Sequence, residues 1–182
     1  DFTIGLKRNI GVYFATGEFI SNFDDDDIYG PTYLTTMVPV LERQQVEVVK
    51  LSGWYNYDRH SNELSFFDPL GWGLVRGMDE NSQDDAFRAE LYGYGFSYVT
   101  RRRTSLEVPY SDMNMGEDFD FIRRLQKNRE NPSCVQLVRD DFGCCVHILH
   151  GLNTAIPPAA YSRLLPPQEH LDAMKLMQQA YP

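Results

Sequence analysis

At 182 residues the chain is long enough for a single domain with a full core, and 42% hydrophobic with 13% aromatic residues mark it as globular rather than disordered. A formal charge of −9 argues against a nucleic acid or an anionic membrane surface as its main partner, so an anionic small molecule held here needs a metal or a local basic cluster. No apolar run approaches the roughly 20 residues of a membrane span, and none reads as a signal peptide.

Leu6 to Thr16 (LKRNIGVYFAT) places Ile10, Tyr13 and Phe14 at helical spacing, with Gly17 suited to a C-terminal stop. Glu18 to Tyr29 (EFISNFDDDDIY) then runs from a short apolar strand, with Phe19, Ile20 and Phe23, into four consecutive aspartates. Gly30-Pro31 opens a second helix carrying Leu34, Met37, Val38 and Leu41, with Pro31 in its first turn and Pro39 as a source of a kink. Val46 to Tyr57 is rich in β-branched and aromatic residues and reads as one strand or two. Asp58 to Asp85 is punctuated by Pro69, Gly71, Gly73 and Gly77 and contains a polar surface loop, NSQDD.

Ala86 to Leu91 is expected as a short helical turn and Phe96 to Thr100 as a strand, reached through Gly93 and Gly95 and left through Arg101 to Arg103. Asn114 to Lys127 begins like a capped helix, Asn114 being followed three residues later by Glu117, with Phe119, Ile122 and Leu125 as its apolar face. Cys134 to Val138 and Cys145 to Leu149 are short strands around an Asp-Asp-Phe-Gly turn. Pro166 and Pro167 precede a terminal helix with Leu171, Met174 and Met177 on one side. Strands and helices alternate, so the class is α/β. The three cysteines, Cys134, Cys144 and Cys145, lack the spacing of a zinc site. A Cys134 link to Cys144 or Cys145 is one arrangement; buried free thiols are the favoured one.

Two unit charges about 4 Å apart repel by roughly 4 kcal/mol at an effective dielectric near 20, so the aspartate run needs solvent or a divalent cation with oxygen ligands. Ligands of open α/β sheets bind beyond the carboxyl ends of strands, which is where these carboxylates fall. Glu117-Asp118 and His147 or His150 are the other acidic or metal-capable groups, and plain readings compete: Glu117-Asp118 as acids complementing a helix N-terminus, His150 as a polar residue closing a strand, and YGYGFSY as a glycine-loosened approach to a strand.

Together and in order, these residues resemble something specific. KRNIGVYFATGEFISNFDDDDIYGPTYL is similar to the second half of the nucleotide-binding region of GT-A-fold glycosyltransferases of the family-2 type, with Arg8, Asn9, Ala15 and Gly17 leading to a D-x-D motif at Asp24, Asp25 and Asp26. GYGFSYVTRR resembles the family's glycine-bearing strand beside the donor sugar, MGEDFDF its E-D motif, and His150 the histidine after its last core strand. The resemblance spans roughly residues 5 to 155 and implies a GT-A-like, Rossmann-like mixed sheet flanked by helices. It implies one domain over residues 1–182: the end of a nucleotide-binding part (1–30), a donor and acceptor part (31–155) and a C-terminal extension (156–182). The family's opening strand, loop and helix have no match here, so truncation at the N-terminus is expected, and with it a longer parent, cytoplasmic or Golgi-lumenal.

The resemblance also implies roles. Asp26 becomes a ligand of Mn²⁺ or Mg²⁺, with Asp24 on the ribose or the metal and His150 completing the site; the fourfold run leaves the register open by one residue. Arg8, Asp24, Asp25, Gly93 and Gly95 would bind a UDP- or GDP-sugar donor. Asp118 would be the general base toward a carbohydrate or other hydroxyl acceptor, and Glu117 would orient it or bind the acceptor. Trp54, Tyr55 and Tyr94 are aromatic candidates for stacking on a sugar, although aromatic residues in strands are more often core. The implied reaction is inverting transfer by single displacement.

Two other readings compete. FDDDDI approximates the nucleophile motif of haloacid-dehalogenase-type phosphatases, with Asp24 as nucleophile, Asp26 as acid and Asp140-Asp141 as later metal ligands. A non-catalytic metal- or carbohydrate-binding module is the third, although EF-hand spacing fails because Ile28 stands where an oxygen ligand is required.

Overall fold

The computed structural model describes residues 2–141, 143–166 and 175. Helix α1 (Ile4–Phe14) starts earlier than its apolar spacing predicts, because the Thr3 hydroxyl accepts the Leu6 amide at 3.1 Å. It ends at Phe14, short of Gly17. The side marked by Ile10, Tyr13 and Phe14 faces solvent, while Gly5 and Val12 make the buried contact.

Strand β1 (Phe19–Ser21) leads into the aspartates, and β2 (Ile28–Tyr29) comes after them. Helix α2 (Tyr33–Arg43) buries Tyr33, Met37 and Leu41 and holds Pro39 internally; Pro31 lies before its first turn rather than in it. Val46 to Tyr57 resolves as one strand, β3 (Val48–Asp58). The weakly patterned stretch after it hides β4 (Glu63–Phe67) and helix α3 (Pro69–Leu74), whose N-cap Asp68 accepts the Gly71 amide. Helix α4 (Asp85–Tyr92) is followed by a 3₁₀ turn at Gly95–Ser97 and strand β5 (Val99–Arg101). The arginines begin a short helix, α5 (Arg102–Glu107), that the sequence did not disclose.

Helix α6 (Glu117–Arg129) starts at Gly116, whose φ of 78° supplies a left-handed cap that a side chain adopts only at a cost. Asn114 does not cap it; its side-chain oxygen accepts the Ile4 amide instead. Strands β6 (Val135–Arg139), β7 (Cys145–Leu149) and β8 (Ser162–Leu164) complete the described elements. The helix expected after Pro166 lies outside the described residues, apart from Lys175.

The fully buried first half of β3 pairs antiparallel with β5 on one edge and parallel with β6 on the other. Past an irregularity between Leu51 and Gly53, its second half pairs antiparallel with β4 and parallel with β7. β1 joins β5, β2 joins β7 and β8 joins β4, all antiparallel. This is the mixed sheet flanked by helices that the sequence implies. Trp54 sits in its core with no exposed surface, packed on Phe67, Tyr94 and Phe96. The three cysteines are free and buried, and burial pushes their thiols up, Cys134 to about 11.

Candidate active site

The aspartate run is fixed from both ends. The Asn22 amide donates to Tyr98 O at 3.1 Å as β1 finishes, and β2 then pairs with β7. Between them the Asp27 amide folds back onto Asp24 O, and the Tyr29 hydroxyl accepts the Asp24 amide. The side chains diverge. Asp27 turns inward, accepting the Ile148 amide at 2.9 Å and meeting His147 Nδ1 at 2.8 Å. Asp25 and Asp26 are exposed and Asp24 is half-buried. Ligand oxygens of Asp24, Asp26 and Asp27 nonetheless come within 4.8 Å of one another, an all-oxygen set suited to a hard divalent cation.

His150, one residue past β7, places Nε2 2.7 Å from Asp26 Oδ2. The two residues expected to share a metal are thus in direct contact. His147 emerges beside them: its ring stacks on Phe96 at 4.7 Å and 5°, and Nε2 is buried with no hydrogen-bond partner among the described residues.

Arg8 reaches the run from α1. Its guanidinium lies 3.5 Å from Glu117 and 3.9 Å from Asp24, over the ring of Tyr110. Asn9 explains its place beside Arg8 in the sequence: its side chain clamps the Tyr110 backbone through two hydrogen bonds of 2.8 Å. Arg8 Nη1 is buried without a hydrogen-bond partner among the described residues. Burial works against its charge, but Tyr110, Glu117, Asp24 and Asp118 outweigh it and leave the pKa above the ordinary arginine value. Burial raises the carboxyl pKa of both Asp24 and Glu117, and Arg8 opposes the rise at each. A positive centre is therefore enclosed beside two carboxyl groups whose charged forms burial disfavours.

Gly95 makes room for this. A Cβ there would lie 1.8 Å from Arg8 Nη1, so any other residue would have to displace the guanidinium or the turn. The Gly95 amide donates to Asp118 Oδ2 at 2.7 Å, and the Phe119 amide to Asp118 Oδ1 at 2.6 Å. Each carboxylate oxygen is held by one donor and keeps further lone-pair capacity.

A cavity of about 580 Å³ gathers Arg8, Asp24, Asp25, Asp26, Gly93, Gly95, Glu117 and Asp118 along its wall, with His147 among them. This is the size range of a small-ligand site. His150 lines instead a second cavity, of about 450 Å³, on the far side of Asp25 and Asp26. Of the aromatic candidates, Tyr94 lines the larger cavity, with its hydroxyl on Glu90 at 2.7 Å. Trp54 is sealed in the core and Tyr55 packs edge-on against Phe66, so neither is placed to meet a sugar there.

The phosphatase assignment of Asp140 and Asp141 does not survive. Asp140 is buried and accepts the amides of Cys144 and Cys145 at 3.0 Å, and Asp141 pairs with Arg139 at 2.7 Å. Neither lines the cavity. His147 was legible only as a metal-capable residue; nothing in its local sequence signals that Asp27 would orient it.

Residues 3–85 match the family model described as glycosyl transferase family 2. The matched stretch takes in Arg8, Asn9 and the aspartate run, and ends before Gly93, Gly95, the Glu117-Asp118 pair and His150. No curated protein matches the chain. Among solved structures it is similar to glucosyl-3-phosphoglycerate synthase from Mycobacterium tuberculosis, at 14% identity and a TM-score of 0.48. It is also similar to that enzyme in complex with Mn²⁺, uridine-diphosphate-glucose and glycerol 3-phosphate, at 12% identity and a TM-score of 0.46. These similarities cover 98% of this chain and 55% of the other, so the chain spans about half the length of the structures it matches.

Proposed function

We propose that this chain carries the catalytic site of a metal-dependent, inverting glycosyltransferase that moves a sugar from a UDP- or GDP-sugar to an acceptor hydroxyl. One observation supports it above the rest: the aspartate run, Arg8 and the Glu117-Asp118 pair, far apart in sequence, open onto one cavity. In this reading residues 1–30 end the nucleotide-binding part, 31–155 handle donor and acceptor, and 156–182 form an extension.

Asp26 and His150 would hold Mn²⁺ or Mg²⁺ with Asp24, since their contact already brings an imidazole nitrogen and a carboxylate oxygen together. A divalent ion so held offsets negative charge developing on the leaving diphosphate. Arg8 adds fixed positive charge on the same wall, and its enclosure by protein strengthens that field. Gly93 and Gly95 would bring backbone rather than side chain to the donor along the same wall. Asp118, steered by the Gly95 and Phe119 amides, takes the proton of the acceptor hydroxyl. The acceptor oxygen bonds to the anomeric carbon as its bond to the diphosphate oxygen breaks, on the opposite side, which inverts configuration. Glu117, buried against Arg8, sets the guanidinium in place rather than meeting the acceptor directly.

The test is a panel of UDP- and GDP-sugars with Mn²⁺, with the product's anomeric configuration read by NMR for wild type and Asp118→Asn. Inverted product, with turnover reduced about 10²- to 10⁴-fold in the variant, is the expected result. Retained configuration would contradict the single displacement. Release of phosphate from a generic ester would favour the phosphatase, and sugar binding without turnover the non-catalytic module.

A further inference from the structure

Lys50 lies in the core of the sheet with no exposed surface. It is the third residue of β3, opposite Leu137 of β6, and its Nζ crosses to the end of α4, donating to Leu91 O at 2.6 Å and Gly93 O at 2.7 Å. The intervening carbonyl, Tyr92 O, accepts the buried Tyr98 hydroxyl. A helix end leaves such carbonyls without intrahelical donors, and a cation there also meets the negative end of the helix dipole. The charged groups facing the ammonium are Glu90 on α4 and Asp118 on α6, with the Trp54 ring 5.5 Å from Nζ.

The turn beyond Gly93 gives this anchor its consequence. Tyr94 takes a left-handed backbone with φ 64°, unfavourable for a residue with a side chain. Gly95 comes next, with its amide on Asp118 Oδ2 and its α-carbon against Arg8 Nη1. Displacing Gly93 would therefore displace the donor that aims Asp118. We propose that Lys50 is a positioning residue for Asp118: by gripping Leu91 O and Gly93 O it holds the Gly93–Gly95 turn, and through the Gly95 amide it holds the carboxylate in the cavity. The inference rests on the reading of Asp118 as the base, but the geometry it invokes can be measured without turnover.

The experiment compares full-length wild type, Lys50→Met, Lys50→Gln and Leu41→Ala, the last a buried core variant on α2, outside the segment from α4 to Gly95. Two readouts are taken: the Gly95 amide proton and Asp118 carboxyl carbon by NMR, and the kinetics of UDP-glucose cleavage with Mn²⁺. The expected result for Lys50→Met is an upfield move of the Gly95 amide, a changed Asp118 carboxyl resonance, and kcat lower by about a hundredfold with KM within about twofold. Lys50→Gln, which keeps a donor, should recover part of both, and Leu41→Ala should lower stability while leaving both in place. Unmoved resonances in Lys50→Met overturn the proposal. So does an equal effect in Leu41→Ala, or failure of both Lys50 variants to fold, since either makes the lysine a support of the core at large. If Asp118→Asn turns over like wild type, the base assignment falls, while the resonances still decide whether Lys50 aims the carboxylate.

Discussion

Asp27 accepts the Ile148 amide and meets His147, whereas Asp26 beside it faces the cavities and meets His150. Substituting them should therefore have different costs. Asp27→Ala strands a buried amide and an imidazole nitrogen, so it should lose about 2–6 kcal/mol of stability in urea unfolding, at about 1–3 kcal/mol per orphaned group. Asp26→Ala should leave stability within about 0.5 kcal/mol, as surface changes do, while removing the proposed metal contact. At Gly95 the constraint is steric: Gly95→Ala places a methyl group 1.8 Å from Arg8 Nη1, which must then leave Glu117 or push the turn aside. A cost of about 1–3 kcal/mol, together with loss of donor binding, is expected by calorimetry and titration.

Among the elements, most of what positions the site was legible in sequence. The strand ending in aspartates, the long β3, the acidic start of α6 and the last core strand were readable because period, β-branching and charge are local signals. Less readable were features whose cause is tertiary. Ile10, Tyr13 and Phe14 look like a core face, yet α1 approaches its neighbours through Gly5, which packs on Ser111 O, so its larger side chains point outward. Asn114 looks like a cap but is drawn away by the Ile4 amide, and Gly116 supplies the turn instead. Trp54 looks like a sugar platform until the sheet closes over it. The α6 start carries its own prediction: Gly116→Ala should destabilise by about 1 kcal/mol in thermal unfolding, because its positive φ is unfavourable for alanine although no atom blocks the methyl.

At the scale of the whole molecule, pH couples to folding through Lys50, whose ammonium burial pushes down to about 7. Because its folded pKa is below the unfolded one, the unfolded chain binds more protons between them. Stability should rise with pH through this window, by up to about 1.4 kcal/mol per unit above pH 7. The buried thiols act oppositely: their raised pKa values remove stability once unfolded cysteines begin to ionise, near pH 8.5. The rise should therefore be clearest between about pH 7 and 8.5, and denaturant unfolding of Lys50→Met should lack it.

Binding of a nucleotide diphosphate by the aspartate run, through a divalent cation and with His150 completing the site, is the property on which the proposed activity depends. Its most direct test is a thermal-shift titration with Mn²⁺, alone and with UDP or GDP, on wild type, Asp26→Asn and His150→Ala. Nucleotide at about a hundred times its Kd should raise Tm by about 5–10 °C only when Mn²⁺ is present, and both variants should abolish the rise. A nucleotide shift indifferent to Mn²⁺ or to Asp26→Asn, or no shift in any combination, would contradict it.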